Sequence, residues 1–105
     1  MLKIIFVIKY VKNFYERSDD MKAGKHYAYM LRCSDNTIYS GYTNDLNKRV
    51  ETHNCGEGAK YTRCRLPVRL VYFEEFDNKS DAMKREWQFK RLTRSQKETL
   101  IKKEN

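Results

Sequence analysis

Between His26 and Asn54 the chain runs HYAYMLRCSDNTIYSGYTNDLNKRVETHN, two tyrosine-rich segments separated by turn residues and followed at once by a helical pattern. No other stretch constrains the fold as strongly, because a hairpin leading directly into a helix fixes three elements and their order. Tyr27 and Tyr29 stand at i and i+2, so a strand puts them on one face with Leu31 and Cys33. Ser34, Asp35 and Asn36 are turn residues, since Asp and Asn tolerate left-handed backbone and bond to it locally. The run from Thr37 to Thr43 is β-branched and aromatic, and Gly41 marks a point where backbone or ligand approaches closely. Tyr29 and Tyr39 can share a face only if the loop has an odd length or carries a bulge. Thr43 or Asn44 is placed to cap the next helix, with Asp45 in its first turn. Leu46, Arg49, Val50 and His53 then recur at helical spacing on one side.

Beyond that helix, Asn54 to Leu66 reads as a long loop holding Gly56 and Gly58 and then a run of bases. Within it Lys60-Tyr61-Thr62-Arg63 joins charge to a ring able to pack on a sugar or base; a solvated basic linker is the plainer alternative. Pro67 closes the loop. Val68 to Phe76 reads as a third strand, with Val68, Leu70 and Tyr72 on one face and Arg69, Val71 and Phe73 on the other. Ser80 is a good cap for a helix over Asp81 to Leu92, which is made of strong helix formers. On that helix Ala82, Met83, Trp87 and Phe89 bracket Glu86, in the middle of the stripe expected to face the sheet. A carboxylate in such a place is either paired, with an arginine or with Lys90, or bound to a metal. Gln96 to Lys103 reads as a last short helix anchored by Leu100 and Ile101. The whole is an α/β domain of the α+β kind, a small three-stranded, mainly antiparallel sheet flanked by helices.

A chain of 105 residues holds one modest core. Its formal net charge of +8 points to a polyanionic partner, nucleic acid before an anionic membrane. The bases are unevenly spread. Residues 60–69 hold Lys60, Arg63, Arg65 and Arg69 with no acid, and residues 84–97 hold six bases, Lys84, Arg85 and Lys90 among them, against Glu86 alone. Cys33, Cys55 and Cys64 are odd in number and lack paired spacing, which argues against a disulfide framework and for a reducing, cytoplasmic setting. They also lack the close pairs of structural zinc sites, although His53 with the three thiols is a set to consider. The apolar run Leu2 to Val11 is too short for a bilayer and is interrupted by Lys9, so no membrane span is expected. Bulky charged residues follow it instead of a cleavage site, so it does not suit a signal peptide. Residues 1–24 therefore read as an extension and polar linker dispensable to the core, with Met21 an alternative start, and residues 25–103 as the domain.

The order of these residues resembles the GIY-YIG nuclease superfamily, in particular its small single-domain bacterial branch. Tyr27-Ala28-Tyr29 stands where that family has GIY, Tyr39-Ser40-Gly41 where it has YIG, and Arg49 and His53 match its arginine and histidine four residues apart. Gly56 to Thr62, Pro67 to Tyr72 and Lys84-Arg85-Glu86 extend the likeness over roughly residues 25–101. Two departures stand out: the first motif keeps only its final tyrosine, and no Asn lies between Glu86 and Glu104. The resemblance implies a metal-dependent endonuclease acting on DNA, structure-selective or repair-related; the alternative is a non-catalytic nucleic-acid-binding module of the same fold. It implies that Glu86 holds one Mg²⁺ or Mn²⁺, that Arg49 contacts the scissile phosphate, and that Tyr29 activates or orients water. Tyr39 would position water or phosphate, and His53 would assist proton transfer. Lys60, Tyr61, Arg63, Arg65, Lys84, Arg85 and Lys90 form the expected nucleic-acid surface. An interaction protein whose charge serves an acidic or membrane partner is the remaining class, and binding to duplex or branched DNA at physiological salt counts against it.

Overall fold

A computed structural model describes residues 24–103, so the expectations for residues 1–23 lie outside the described residues. Seven elements follow one another: β1 (His26–Arg32), β2 (Ile38–Thr43), α1 (Leu46–Asn54), α2 (Lys60–Arg63), β3 (Arg69–Phe76), α3 (Lys79–Arg91) and α4 (Arg94–Lys103). The sheet order is β2-β1-β3, with both pairings antiparallel. This is an α+β fold, as the sequence suggested. Among the described residues no helix is long and apolar enough to cross a membrane.

Central β1 separates two apolar layers. Tyr27, Tyr29, Leu31 and Cys33 share one face and pack with Leu46 and Val50 of α1 and with Val68, Leu70 and Phe73. Ala28 and Met30 point the other way, into Tyr72, Phe89 of α3 and Ile101 of α4. The hairpin register decides which tyrosines meet. Leu31 pairs with Tyr39 and Tyr29 with Gly41, so Tyr29 and Tyr39 lie on one face. Ser34, Asp35 and Asn36 form the odd-length loop that this parity demands: Asn36 N–H donates to Cys33 O, Cys33 N–H donates to Thr37 O, and Asn36 takes the left-handed φ of 71°.

The third strand departs from simple alternation. Met30 pairs with Tyr72 but Leu31 pairs with Leu70, leaving Val71 as an extra residue. This bulge resets the pleat, so Leu70 and Tyr72, expected on one face, enter opposite layers. The helix starts also shift. Asp45, not Thr43 or Asn44, caps α1, its carboxylate accepting from Lys48 N–H at 3.1 Å, while Thr43 Oγ1 accepts from Asp45 N–H one step earlier. Asn78, not Ser80, caps α3 by accepting from Asp81 N–H. Before α4, Thr93 Oγ1 accepts from Gln96 N–H and Gln96 Oε1 accepts from Thr93 N–H, a reciprocal capping box. Arg32 then holds α4 against β1 through two bonds to Glu98, at 2.7 and 2.9 Å.

The long segment after α1 is ordered by Asn54. Its side chain donates to Val68 O and accepts from Val68 N–H, clamping the end of α1 to the approach of β3. In place of the expected loop, Lys60–Arg63 makes one helical turn, α2. Replacing Asp45 by Ala leaves an orphaned N–H at the head of the helix carrying Arg49 and His53, and should cost about 1 kcal/mol in urea or thermal unfolding. An unchanged midpoint would mean that the Asp45 carboxylate is not the cap.

Candidate functional site

The face shared by Tyr29 and Tyr39 becomes a polar site because α1 lays Arg49 and His53 over it. Tyr29 and Gly41 are directly opposed in the hairpin, and a Cβ on Gly41 would lie 2.5 Å from the Tyr29 hydroxyl and 2.6 Å from the ring carbon bearing it. Glycine is therefore what lets the ring lie across β2. The Tyr29 hydroxyl sits 3.0 Å from His53 Nε2, and Arg49 Nε donates to it at 3.4 Å. On the far side of the imidazole, Nδ1 is 2.9 Å from Thr62 Oγ1. Gly58 packs under the same ring, where a Cβ would fall 2.5 Å from Nδ1. Two glycines and a one-turn helix thus close around a tyrosine–histidine pair that is almost wholly buried.

Burial dominates the electrostatics. It pushes the Tyr29 phenol up to about 12, with the Arg49 hydrogen bond and charge pulling the other way and the carboxylate of Glu86 adding to the rise. It pulls His53 down to about 4, and the nearby Arg49 cation works in the same direction. At neutral pH the pair is consequently uncharged, Tyr29 keeping its proton and His53 having room for one.

Tyr39 is half-buried, its ring edge-on to His53 at 5.4 Å and stacked on Tyr61 of α2 at 5.9 Å between centroids. The stack continues into Arg65, whose guanidinium lies 4.0 Å from the Tyr61 ring and is held by Asp35 and by Tyr61 O. From the other layer, Lys90 of α3 brings Nζ to 6.0 Å from the Tyr39 ring, so the two layers meet at the β2 edge. Glu86, one turn earlier, keeps 17% of its side chain exposed and pairs with Lys90 at 2.9 Å.

Tyr29, Tyr39, Arg49 and His53 are thus brought together, and Glu86 acts on Tyr29 from α3. The stripe expected around Glu86 is narrower than its sequence suggests. Ala82 and Phe89 are buried, whereas Met83 and Trp87 are 42% and 59% exposed, because α3 turns only its Ala82–Phe89 line into the sheet. Lys60, Arg63 and Lys84 are exposed. Arg85 is differently employed: it makes two bonds to Glu74, a carboxylate buried beside Tyr72 in the other layer. Glu74 gave no periodic signal, since it sits in a strand already read as apolar on both faces. The sequence reading has Thr62 as part of a basic loop and of the Gly56–Thr62 likeness, with no role of its own; its spacing after Gly58 and Ala59 is the cue to a turn that brings it back onto His53.

Among the described residues no three His, Cys, Asp or Glu side chains converge as a ligand set. The His53–thiol set fails because both ring nitrogens of His53 are engaged and Cys55 and Cys64 are exposed. Glu86 presents a single, partly accessible carboxylate. That suits Mg²⁺, which keeps several waters and takes one or two carboxylates alongside substrate phosphate.

A family model described as the GIY-YIG catalytic domain matches residues 25–99. A UPF0213 protein of Pediococcus pentosaceus is 61% identical over 77 residues, covering 73% of this chain and 81% of the relative. The UPF0213 protein YazA of Bacillus subtilis is 53% identical over 81 residues, covering 77% and 82%. A UPF0213 protein of the archaeal genus Halobacterium, from Halobacterium salinarum, is 56% identical over 76 residues, covering 72% and 99%. The solution NMR structure of protein EF2693 from E. faecalis superposes with a TM-score of 0.52 at 47% identity, over 75% of this chain and 84% of that one.

The His53 environment makes a stability prediction. In the unfolded chain the imidazole takes up a proton near 6.5, but in the fold only near 4. Between those values the unfolded state binds the extra proton, so stability falls as pH drops through 6.5 and the loss is complete near pH 4, on the order of 3 kcal/mol. Urea unfolding from pH 7 to 4 should be steeper in pH for the parent than for His53→Gln. Parallel curves would show that His53 is not held neutral.

Proposed function

The chain belongs to the GIY-YIG catalytic domain family, a family of nucleases acting on nucleic acid, and from that premise we propose that it is a metal-dependent endonuclease hydrolysing phosphodiester bonds in DNA. The observation that carries this reading is the buried Tyr29–His53 hydrogen bond with Arg49 beside it. Hydrolysis of a phosphodiester needs a water that can lose a proton, a cation on the phosphate, and somewhere for the proton to go.

A phenol raised to about 12 is no base by itself at neutral pH. It becomes one if it passes its own proton to His53 Nε2 as it takes a proton from water, so the two transfers occur together. Arg49 supplies the phosphate contact: it donates only Nε to Tyr29, and no carboxylate among the described residues pairs with it. Its planar, permanently charged fork suits a phosphate oxygen pair. Burial is the larger cause that depresses His53; phosphate arriving at Arg49 offsets the smaller one, the Arg49 charge, and to that extent raises the imidazole's readiness to accept. Tyr39, whose hydroxyl has no hydrogen-bond partner among the described residues, is free to orient water or phosphate. Glu86 would hold the divalent metal after Lys90, the more exposed partner of the pair, swings aside. A bound Mg²⁺ or Mn²⁺ would neutralise charge developing on the phosphate and acidify water.

Exposed Lys60 and Arg63 of α2 and the stacked Tyr61–Arg65 pair extend this site into a basic, partly aromatic surface for the nucleic-acid backbone and its sugars or bases. The Lys90–Glu86 ion pair favours a second reading, a binding module of the same fold in which lysine permanently fills the metal's place. One experiment separates them. Incubated with a panel of labelled DNA structures, the parent should nick only with Mg²⁺ or Mn²⁺. Glu86→Gln should lose about three orders of magnitude in rate while binding as well or better. Binding without metal-dependent nicking in the parent would establish the second reading, and undiminished cleavage by the Gln variant would remove Glu86 from the metal site.

A further inference from the structure

Thr62 is fully buried, and among the described residues its hydroxyl is the only hydrogen-bond partner of His53 Nδ1. That hydroxyl lies 3.0 Å from Ala59 O and is oriented to donate to it. A threonine hydroxyl has one hydrogen. With that hydrogen on Ala59 O, Thr62 Oγ1 meets Nδ1 as an acceptor, so Nδ1 carries the imidazole proton. Nε2 is then a bare lone pair facing the Tyr29 hydroxyl, which donates to it and in turn accepts from Arg49 Nε. Every hydrogen along this line, from Arg49 Nε to the Thr62 hydroxyl, then has an acceptor.

The opposite arrangement does not balance. If Thr62 donated to Nδ1, Nε2 would carry the proton and donate to Tyr29, whose oxygen would already accept from Arg49. The phenolic hydrogen would be left without an acceptor among the described residues, in a buried site where water does not replace the missing bond and the full cost of desolvation remains. Nor is there space for another partner at Nδ1, because Gly58 lies so close to the ring that a Cβ there would reach 2.5 Å from that nitrogen.

We propose that Thr62 is a positioning residue that fixes His53 in the Nδ1–H tautomer, holding Nε2 ready to take the Tyr29 proton. The inference rests on the nuclease reading for its catalytic consequence, but the tautomer itself is a property of the free protein. In the relay, water gives a proton to Tyr29 O, the Tyr29 hydrogen moves to His53 Nε2, and the resulting imidazolium keeps its second hydrogen on Thr62 Oγ1. The hydroxide forms the new P–O bond as the P–O bond to the leaving alcohol breaks, and that alcohol's oxygen takes a proton from solvent. The one-turn helix α2 is what delivers this. Ala59 O accepts both Thr62 N–H at 3.1 Å and the Thr62 hydroxyl, so the turn that starts α2 also aims the side chain.

The test uses ring ¹⁵N shifts of the metal-free protein, where the chain's two histidines are told apart by a His26→Gln variant. The parent and Thr62→Ser should show a protonated Nδ1 and an unprotonated Nε2. Thr62→Val, which keeps the shape and loses the hydroxyl, should move the proton to Nε2 or mix the two forms, and should cleave between about 10²- and 10⁴-fold more slowly with DNA binding retained. Rescue by Ser and not by Val supports the hydroxyl's role. A parent with its proton on Nε2 overturns the proposal without recourse to any variant, as does a folded Val variant that keeps the Nδ1–H form. Tautomer control by Thr62 in a parent that cleaves nothing would uphold the proposal and bring down the nuclease reading alone.

Discussion

The contact on which the rest of the site depends is the Tyr29 hydroxyl lying over Gly41 with its hydrogen bond to His53. A buried phenol and a buried imidazole each lose hydration, and neither is tolerable there without the other. Satisfying both dictates much of the surrounding chain. The hairpin needs an odd loop so that Tyr29 and Tyr39 face the same way, Gly41 must lack a side chain, and α1 must begin close enough to β2 that its third turn reaches Tyr29. Asp45 fixes that starting point, and Asn54 fixes where the helix end is tied down.

The two sides of the sheet handle charge differently. On the tyrosine side the pair is neutral and Arg49 is left without a counter-ion among the described residues, an arrangement that favours an incoming anion. On the other side Glu74 is buried, and it is fully answered by Arg85 and Tyr72. That network is closed and has nothing to offer a ligand, so α3 serves two ends: Arg85 braces the sheet while Glu86, the next residue, stays partly accessible at the β2 edge. Adjacent residues on a helix point about 100° apart, which is why one helix can do both.

Much of this was legible because it rests on short-range periodicity. Alternation across β1, turn residues at 34–36 and the Leu46, Arg49, Val50, His53 spacing gave the hairpin and the first helix, while the choice of Tyr29, Tyr39, Arg49 and His53 as a site came from the family resemblance. What was not legible depends on contacts between distant segments. The bulge at Val71 is set by pairing with β1, and it reversed the facing of Tyr72 relative to Leu70. Trp87 and Met83 looked like core because the helical wheel cannot tell how wide a strip the sheet covers. Arg85 looked like one more surface base because its partner is eleven residues away on a strand. Thr62 was hidden in a segment read as loop, and only folding brings it to His53.

The central claim is that the Tyr29 oxygen takes the proton from the attacking water. Tyr29→Phe tests it most directly, since the ring still fills the space over Gly41 and only the oxygen is removed. Measured as single-turnover cleavage at saturating metal, with binding checked separately, the Phe variant should be slower by about 10²–10⁴-fold at parental affinity. Cleavage at the parental rate would contradict the account, because no other group in the described site could then be passing that proton through His53.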